Sequence, residues 1–156
     1  MLAGVLDEGI SARLETRLVR EQGVAAAVAS GYDAFARGDS LFMIRAVPAP
    51  GRSLDELETA LLAELEKLKA EKIESRELQR VYAGFLSGDV FERDSVQEQA
   101  SNIGRLESVG LSWRISETWP SSLQAASPEA VQAAAVKYLV PARRTILRLV
   151  PTELTP

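Results

Sequence analysis

The chain contains no histidine and no cysteine. Zinc sites are built from Cys, His and carboxylates, so any ordinary structural or catalytic zinc site is excluded within it. Ser-His-Asp and Cys-His nucleophilic chemistry is excluded for the same reason. Without thiols there are no disulfides, and the redox compartment cannot be read. Long apolar runs are missing too: no stretch approaches the ~18 uninterrupted apolar residues of a membrane span. The N-terminus, Met1-Leu2-Ala3-Gly4-Val5-Leu6-Asp7, has no basic segment and soon meets an acid, so it does not read as a signal peptide. A basic excess is also absent. Eighteen Lys and Arg stand against 22 Asp and Glu, a net charge of −4. Nucleic-acid binding needs clustered cations that displace counterions, and no such stripe is present.

What remains is a chain of 156 residues, 46% hydrophobic. That suits one domain, on a prior of roughly 100–200 residues each. A chain of this size buries about 68–70% of its unfolded surface, enough for a real core. No internal repeat, low-complexity segment or linker interrupts it.

Residues 2–8 read as the end of a helix stopped by Gly9. Ser11 is a good N-cap for a second helix running to about Gln22, with Gly23 as its C′ residue. Val24 to Tyr32 reads as a strand on its flanks alone, because Ala25, Ala26, Ala27 and Ala29 are weak β-formers. Leu41 to Val47 is a stronger strand. Asp33 to Ser40 is the hairpin loop between them, and Pro48-Ala49-Pro50-Gly51 stops the sheet. Ser53 and Glu56 form a capping box for a helix over 54–71. Its leucines, Leu54, Leu57, Leu61, Leu62, Leu65 and Leu68, recur at helical spacing and read as core packing rather than a zipper. Ser75 caps a long helix with Leu78, Val81, Tyr82, Phe85 and Leu86 on its buried face. Gly88 is a possible bend; the pattern resumes with Val96, Ala100, Ile103 and Leu106 and ends at Gly110. A short helix is expected near Pro120. Ser127-Pro128-Glu129 starts another, with a cap, an N1 proline and an acid against the dipole. Thr145 to Val150 reads as a last strand, closed by Pro151.

This order predicts an α+β fold with helices on one face of a mainly antiparallel sheet. Three strands are few for so many helices, and the chain opens inside a helical pattern. The expectation is that further strands of this sheet lie upstream of residue 1.

Candidate chemistry is sparse. The paired acids Asp55-Glu56 and Glu71/Glu74 lie beside Lys and Arg and read as solvated helix surface. Glu92-Arg93-Asp94-Ser95 reads as a surface kink rather than a cleft. Gly31-Tyr32-Asp33 and Gly38-Asp39 are not phosphate loops, because no glycine fingerprint opens a helix after a strand. Trp113 and Trp119 read as packing anchors rather than a ligand cage. Arg143-Arg144 protects an edge strand. From the residues alone, the chain is an α+β domain with no recognisable catalytic centre, and no catalytic, cofactor-binding or metal-binding residue is nominated.

One ordered set of motifs adds to this. Ser11-Ala12-Arg13-Leu14 is followed by Arg17-Leu18-Val19-Arg20-Glu21-Gln22-Gly23-Val24-Ala25. Then come Tyr32-Asp33-Ala34-Phe35, Pro48-Ala49-Pro50-Gly51 and the leucine helix. Arg93-Asp94-Ser95, Gly110-Leu111-Ser112-Trp113 and Ser127-Pro128-Glu129-Ala130-Val131 complete it. This set resembles the M16 metallopeptidase family, the pitrilysin, insulinase and mitochondrial-processing-peptidase group, over nearly the whole chain. The resemblance implies a LuxS- and processing-peptidase-like metallohydrolase domain. Members pair related α/β domains into two halves that close around an unfolded peptide. In a catalytic half the first domain carries H-x-x-E-H and a distal Glu. Two His and that Glu hold zinc, and the motif Glu is the general base. The second domain lacks the motif and begins with two strands before the helix at which this chain opens.

Active members also carry, in their C-terminal half, an Arg and a Tyr seven residues later, donors aimed at developing negative charge. Aligned on Glu21-Gln22-Gly23 and Val28, those positions fall at Val19 and Ala26, which offer no side-chain donor. Arg20 lies one residue off register, about 100° round an α-helix. The resemblance therefore implies a single, truncated, non-catalytic domain over residues 1–156, from a bacterial zinc protease or from a wholly inactive subunit. Its implied partners are a zinc-bearing H-x-x-E-H domain, a second M16 half and an unfolded peptide. No cofactor is expected in this chain, and neither nucleic acid nor membrane is an expected partner. A homodimer through an exposed sheet edge is expected from the missing strands. The compartment stays open between periplasm and cytoplasm. The alternative is a protease-derived assembly module with no proteolytic context.

Overall fold

Local side-chain caps open the helices that begin at Leu54, Val96 and Pro128. In the computed structural model, which describes residues 1–150, Ser53 Oγ accepts the Glu56 N–H at 3.1 Å and the Ser53 N–H reaches Glu56 Oε2 at 2.8 Å. This capping box opens α2 (Leu54–Ala70). Ser127 Oγ accepts the Ala130 N–H at 3.1 Å and opens α6 (Pro128–Tyr138), with Pro128 at the first position, where no N–H is needed. The other elements are α1 (Leu2–Asp7), β1 (Ala25–Tyr32), β2 (Phe42–Pro48), α3 (Ser75–Arg93), α4 (Val96–Ser108) and α5 (Ile115–Gln124). A π-helix, Glu15–Glu21, precedes β1, and a 3₁₀ turn, Pro141–Arg143, follows α6.

β1 and β2 form an antiparallel hairpin, paired from Ala25↔Pro48 to Tyr32↔Phe42, with a register shift that leaves Ala26 as the extra residue. Alternation gives the hairpin two unlike faces. Val28, Phe42, Ile44 and Ala46 pack against the core. Ala27, Ala29, Gly31, Met43, Arg45 and Val47 are exposed on the other side. The core lies between that inner face and the helices, built from Leu6, Leu14, Leu18, Leu57, Leu68 and Val81 with their neighbours. The expected α+β architecture, helices over one face of a small antiparallel sheet, is what the chain adopts.

Several expectations need correction. Glu74, not Ser75, is the N-cap of α3, and Ser75 is its first helical residue. Residues 145–150 pair with no strand, so the hairpin is the whole sheet among the described residues. Ile146, Leu147, Leu149 and Val150 are exposed, and Arg148 binds Asp55 and Glu58 of α2 instead. Apolar β-formers make a strand only beside a neighbour that accepts their backbone, and propensity cannot supply one. The expected closure at Pro151 lies outside the described residues.

The expected long helix is two. Ser95 Oγ caps the Glu98 N–H at 3.2 Å and restarts the chain as α4, whereas Gly88 sits inside α3 without ending it. Of the second stretch only Leu106 is buried, and Val96 is 83% exposed. The helix expected over Ser11–Gln22 is π-helical for most of its length, with Gln22 N–H reaching Arg17 O, five residues back, at 3.1 Å. Gly23, at φ 56°, then turns the chain into β1.

The loop 33–41 is anchored by aromatic contact. Phe35 meets Trp119 edge to face at 4.8 Å, and the Arg105 guanidinium lies 5.4 Å from the Phe35 ring centre. Trp119 is thus a packing anchor, as its sequence setting suggested.

Helix α1 packs on α3 through Gly4. A Cβ there would collide with both γ-carbons of Val81. Gly4→Ala gains about 1 kcal/mol of helix propensity but overpacks this contact, at a cost of about 1–3 kcal/mol. Urea unfolding should show net destabilisation. Combining it with Val81→Ala should cost clearly less than the two single changes together; simple additivity would contradict this packing.

Candidate functional site

Two features stand out: a shielded ion network behind β1, and the open face of the hairpin. Arg13 and Arg17, one turn apart, carry the first. Arg13 grips Glu77 of α3 through two bonds, Nε–Oε1 at 2.7 Å and Nη2–Oε2 at 2.9 Å, and donates Nη2 to Lys72 O at 3.2 Å. Arg17 bridges Glu64 at 2.9 Å and Glu71 at 2.7 Å. Glu64 also accepts from Lys67 Nζ at 2.7 Å and Gln22 Nε2 at 3.1 Å. Its side chain is only 2% exposed.

An ionised carboxylate so shielded persists only because donors surround it. Burial pushes the Glu64 carboxyl up, but the hydrogen bonds and charges of Lys67 and Arg17 outweigh it and hold it below its ordinary value. Glu77 is also held low, chiefly by its hydrogen bond with Arg13, against burial. Burial pulls Arg17 down, yet Glu71 and Glu64 raise it overall. Every carboxylate here is bound to a cation, so the network suits locking segments together rather than moving protons.

The solvated-surface reading stands for Glu74 and for Glu71, whose side chain is 43% exposed although Arg17 holds it. Glu64 itself was not singled out from sequence. Its signal was readable: it falls on the Leu57, Leu61, Leu68 stripe of α2, where a charge needs a partner.

At the aligned positions of the donor pair, Val19 packs against the core and Ala26 is exposed at the register shift in β1. Neither brings a donor to the sheet. Arg20 is 49% exposed and only 3.9 Å contact with Glu15 occupies it. The π-helix also spoils the α-helical angle counted for Arg20, because it has more residues per turn.

The open face is flat and small on β1, where Ala27, Ala29 and Gly31 lie opposite Val47, Arg45 and Met43. No helix among the described residues covers them. The outer edge of β1 is partly closed: the Ser30 N–H donates to Asp7 Oδ2 at 2.8 Å, and Ser30 Oγ donates to Ala3 O at 3.0 Å. Among the described residues, no group of three or more His, Cys, Asp or Glu is disposed to hold a metal ion. No helix there is long and apolar enough to cross a membrane.

Comparison with known proteins places this geometry. The family described as "Peptidase M16 inactive domain" matches residues 1–85, more than half of the 156. Among solved structures, the chain is similar to a "putative zinc protease from Bordetella pertussis Tohama I". Identity is 28% and the TM-score 0.82, over 97% of this chain and 82% of that one. It is also similar to the "Inactive Peptidase Domain of a Putative Zinc Protease from Bordetella parapertussis", at 25% identity and TM-score 0.80, over 99% and 83%. A protease from Helicobacter pylori shares the fold at 20% identity and TM-score 0.80; 91% of this chain covers 34% of that one. A comparison with curated proteins finds no match.

The ion network makes stability depend on acid. Glu64 and Glu77 are both held below the ordinary glutamate value when folded. Their contribution is therefore complete above that value and lost as pH falls through the depressed folded values. Glu64→Gln should cost about 3 kcal/mol at neutral pH, the low end for breaking a buried pair, since Arg17 keeps Glu71. Urea unfolding at pH 7 and pH 3 should show the gap from wild type closing in acid. A gap that stays constant would contradict the assignment.

Proposed function

The chain belongs to the peptidase M16 inactive-domain family, and from that premise we propose that it is a wall domain of a bacterial zinc protease. Residues 1–156 form one non-catalytic domain that packs beside a zinc-bearing H-x-x-E-H domain of the same polypeptide or complex. A second M16 half completes the chamber, and an unfolded peptide is its substrate. The zinc and its general base belong to the partner domain, and this chain contributes no catalytic, cofactor or metal-binding residue.

The observation that supports this reading is the uncovered face of Ala27, Ala29 and Gly31. A flat row of small side chains lets an extended peptide backbone approach a strand closely, as strand addition requires. The absence of a donor at Val19 and Ala26 limits the role to shape, not charge stabilisation.

A second reading, an assembly module outside any protease, draws on the turn between α3 and α4. Phe91 is 73% and Val96 83% exposed there, which suits a contact surface. Coding sequence upstream separates the two: an H-x-x-E-H motif favours the first, and its absence there and in the neighbouring gene favours the second.

Co-expression with the zinc-bearing domain, and the second half where it is separate, should give peptide cleavage that falls when residues 1–156 are deleted. Cleavage that proceeds equally well without them would sink the wall role. The isolated chain should carry no stoichiometric zinc by elemental analysis. β2 has no strand neighbour on its outer edge among the described residues. An open edge of this kind pairs with another copy. Light scattering should show concentration-dependent dimers, and a clean monomer at high concentration would count against that edge.

A further inference from the structure

A half-open cavity of ≈ 470 Å³ lies between the Arg13–Arg17 turn and the first turns of α3. Five cations and three carboxylates line it. The carboxylates are all engaged. Glu77 is held by Arg13 and by the Glu74 N–H at 2.9 Å, Glu71 by Arg17, and Glu74 by Arg76 at 2.7 Å. Two cations on the rim have no carboxylate within ion-pair distance among the described residues: Lys72 and Arg80.

Arg80 is the unusual one. Both its terminal nitrogens have less than 1 Å² of exposed surface and no acceptor. Arg13 Nη1 is shielded in the same way, with Glu71 Oε2 at 3.6 Å as its nearest anion. A shielded charged donor without an acceptor is costly, more than the ~1–3 kcal/mol of a neutral one. Glu77 and Glu71 cannot relieve it without releasing Arg13 or Arg17, and Glu74 is paired with the exposed Arg76. An acceptor from outside can.

We propose that this cavity is an oxyanion site for a phosphate group, held by Arg80, Lys72 and Arg13 Nη1. The excess of two positive charges on the lining matches a phosphate dianion. The guanidinium fork offers the paired N–H donors that tetrahedral oxyanions take, and the Lys72 ammonium adds a point charge at the rim. Binding requires the outer Arg80 side-chain bonds to rotate so that the shielded fork faces the cavity, and α3 supplies the base. A phosphate bound here ties the Arg13–Arg17 turn to α3, and so acts on the segment that leads directly into β1.

The test is calorimetric titration of the full chain with inorganic phosphate at constant ionic strength, with melting curves alongside. Saturable binding and a melting temperature that climbs with phosphate are expected. Acetate should bind more weakly. Arg80→Gln and Lys72→Ala should each weaken phosphate binding about tenfold or more, the weight of a charge-assisted hydrogen bond. Without phosphate, Arg80→Gln should be at least as stable as wild type, because it removes a shielded cation that has no acceptor. Lys72 is exposed, so its variant keeps the test valid where Arg80→Gln fails to fold. Phosphate acting no better than chloride would overturn the proposal, as would wild-type affinity in Lys72→Ala. Acetate binding as tightly as phosphate would overturn the choice of phosphate.

Discussion

A carboxylate at the 2%-exposed position Glu64 forces much of this structure. It cannot stay ionised there alone, and it is surrounded by Arg17, Lys67 and Gln22. Arg17 can reach it only from a turn held against α2, and Arg13, one turn earlier, is fixed by Glu77 on α3. Two arginines thus pin the segment before β1 to two helices that are distant in sequence. The leucines on the other side of the same turn, Leu14 and Leu18, are fully buried. Apolar packing gives this turn most of its burial energy. The ion pairs fix its register, because a slip of one residue would leave a shielded charge without a partner.

That fixed register carries into the hairpin. Gly23 turns the chain directly into β1, so the phase of the turn decides which side chains face the helices. Val28, Ile44 and Ala46 go inward and Ala27, Ala29 and Gly31 go outward. An outer face open to solvent is usual for an antiparallel pair packed on one side, and it follows from this alternation. Its Arg45 and Met43 sit on β2, so the small side chains are gathered on one strand.

The parts of the fold that rest on neighbours in sequence were legible there. Ser53 with Glu56 and Ser127 with Pro128 fixed two helix starts, and Asp33 to Ser40 was correctly read as the loop between two strands. The alanine-rich strand was visible only through its flanks, since its residues have little β-propensity. What depends on distant partners was not legible. Glu64 is 47 residues from Arg17, and its burial is set by that pairing. Thr145 to Val150 has the composition of a strand but no strand beside it, and composition says nothing about neighbours. The π-helical turn escaped because leucines four residues apart, Leu14 and Leu18, fit α and π windings nearly equally well.

The site was legible in a different way, through what is missing. The absence of histidine excludes an H-x-x-E-H zinc site within this chain, whatever its fold. The two positions aligned with the expected donor pair sit in different settings. Val19 is partly buried and packs against the core, whereas Ala26 is exposed at the register shift. An Arg at 19 would be drawn into apolar surroundings; the exposed position 26 carries no such constraint. What the structure leaves outward is a strand of small residues, and the segment leading into it is held by the ion pairs of Arg13 and Arg17.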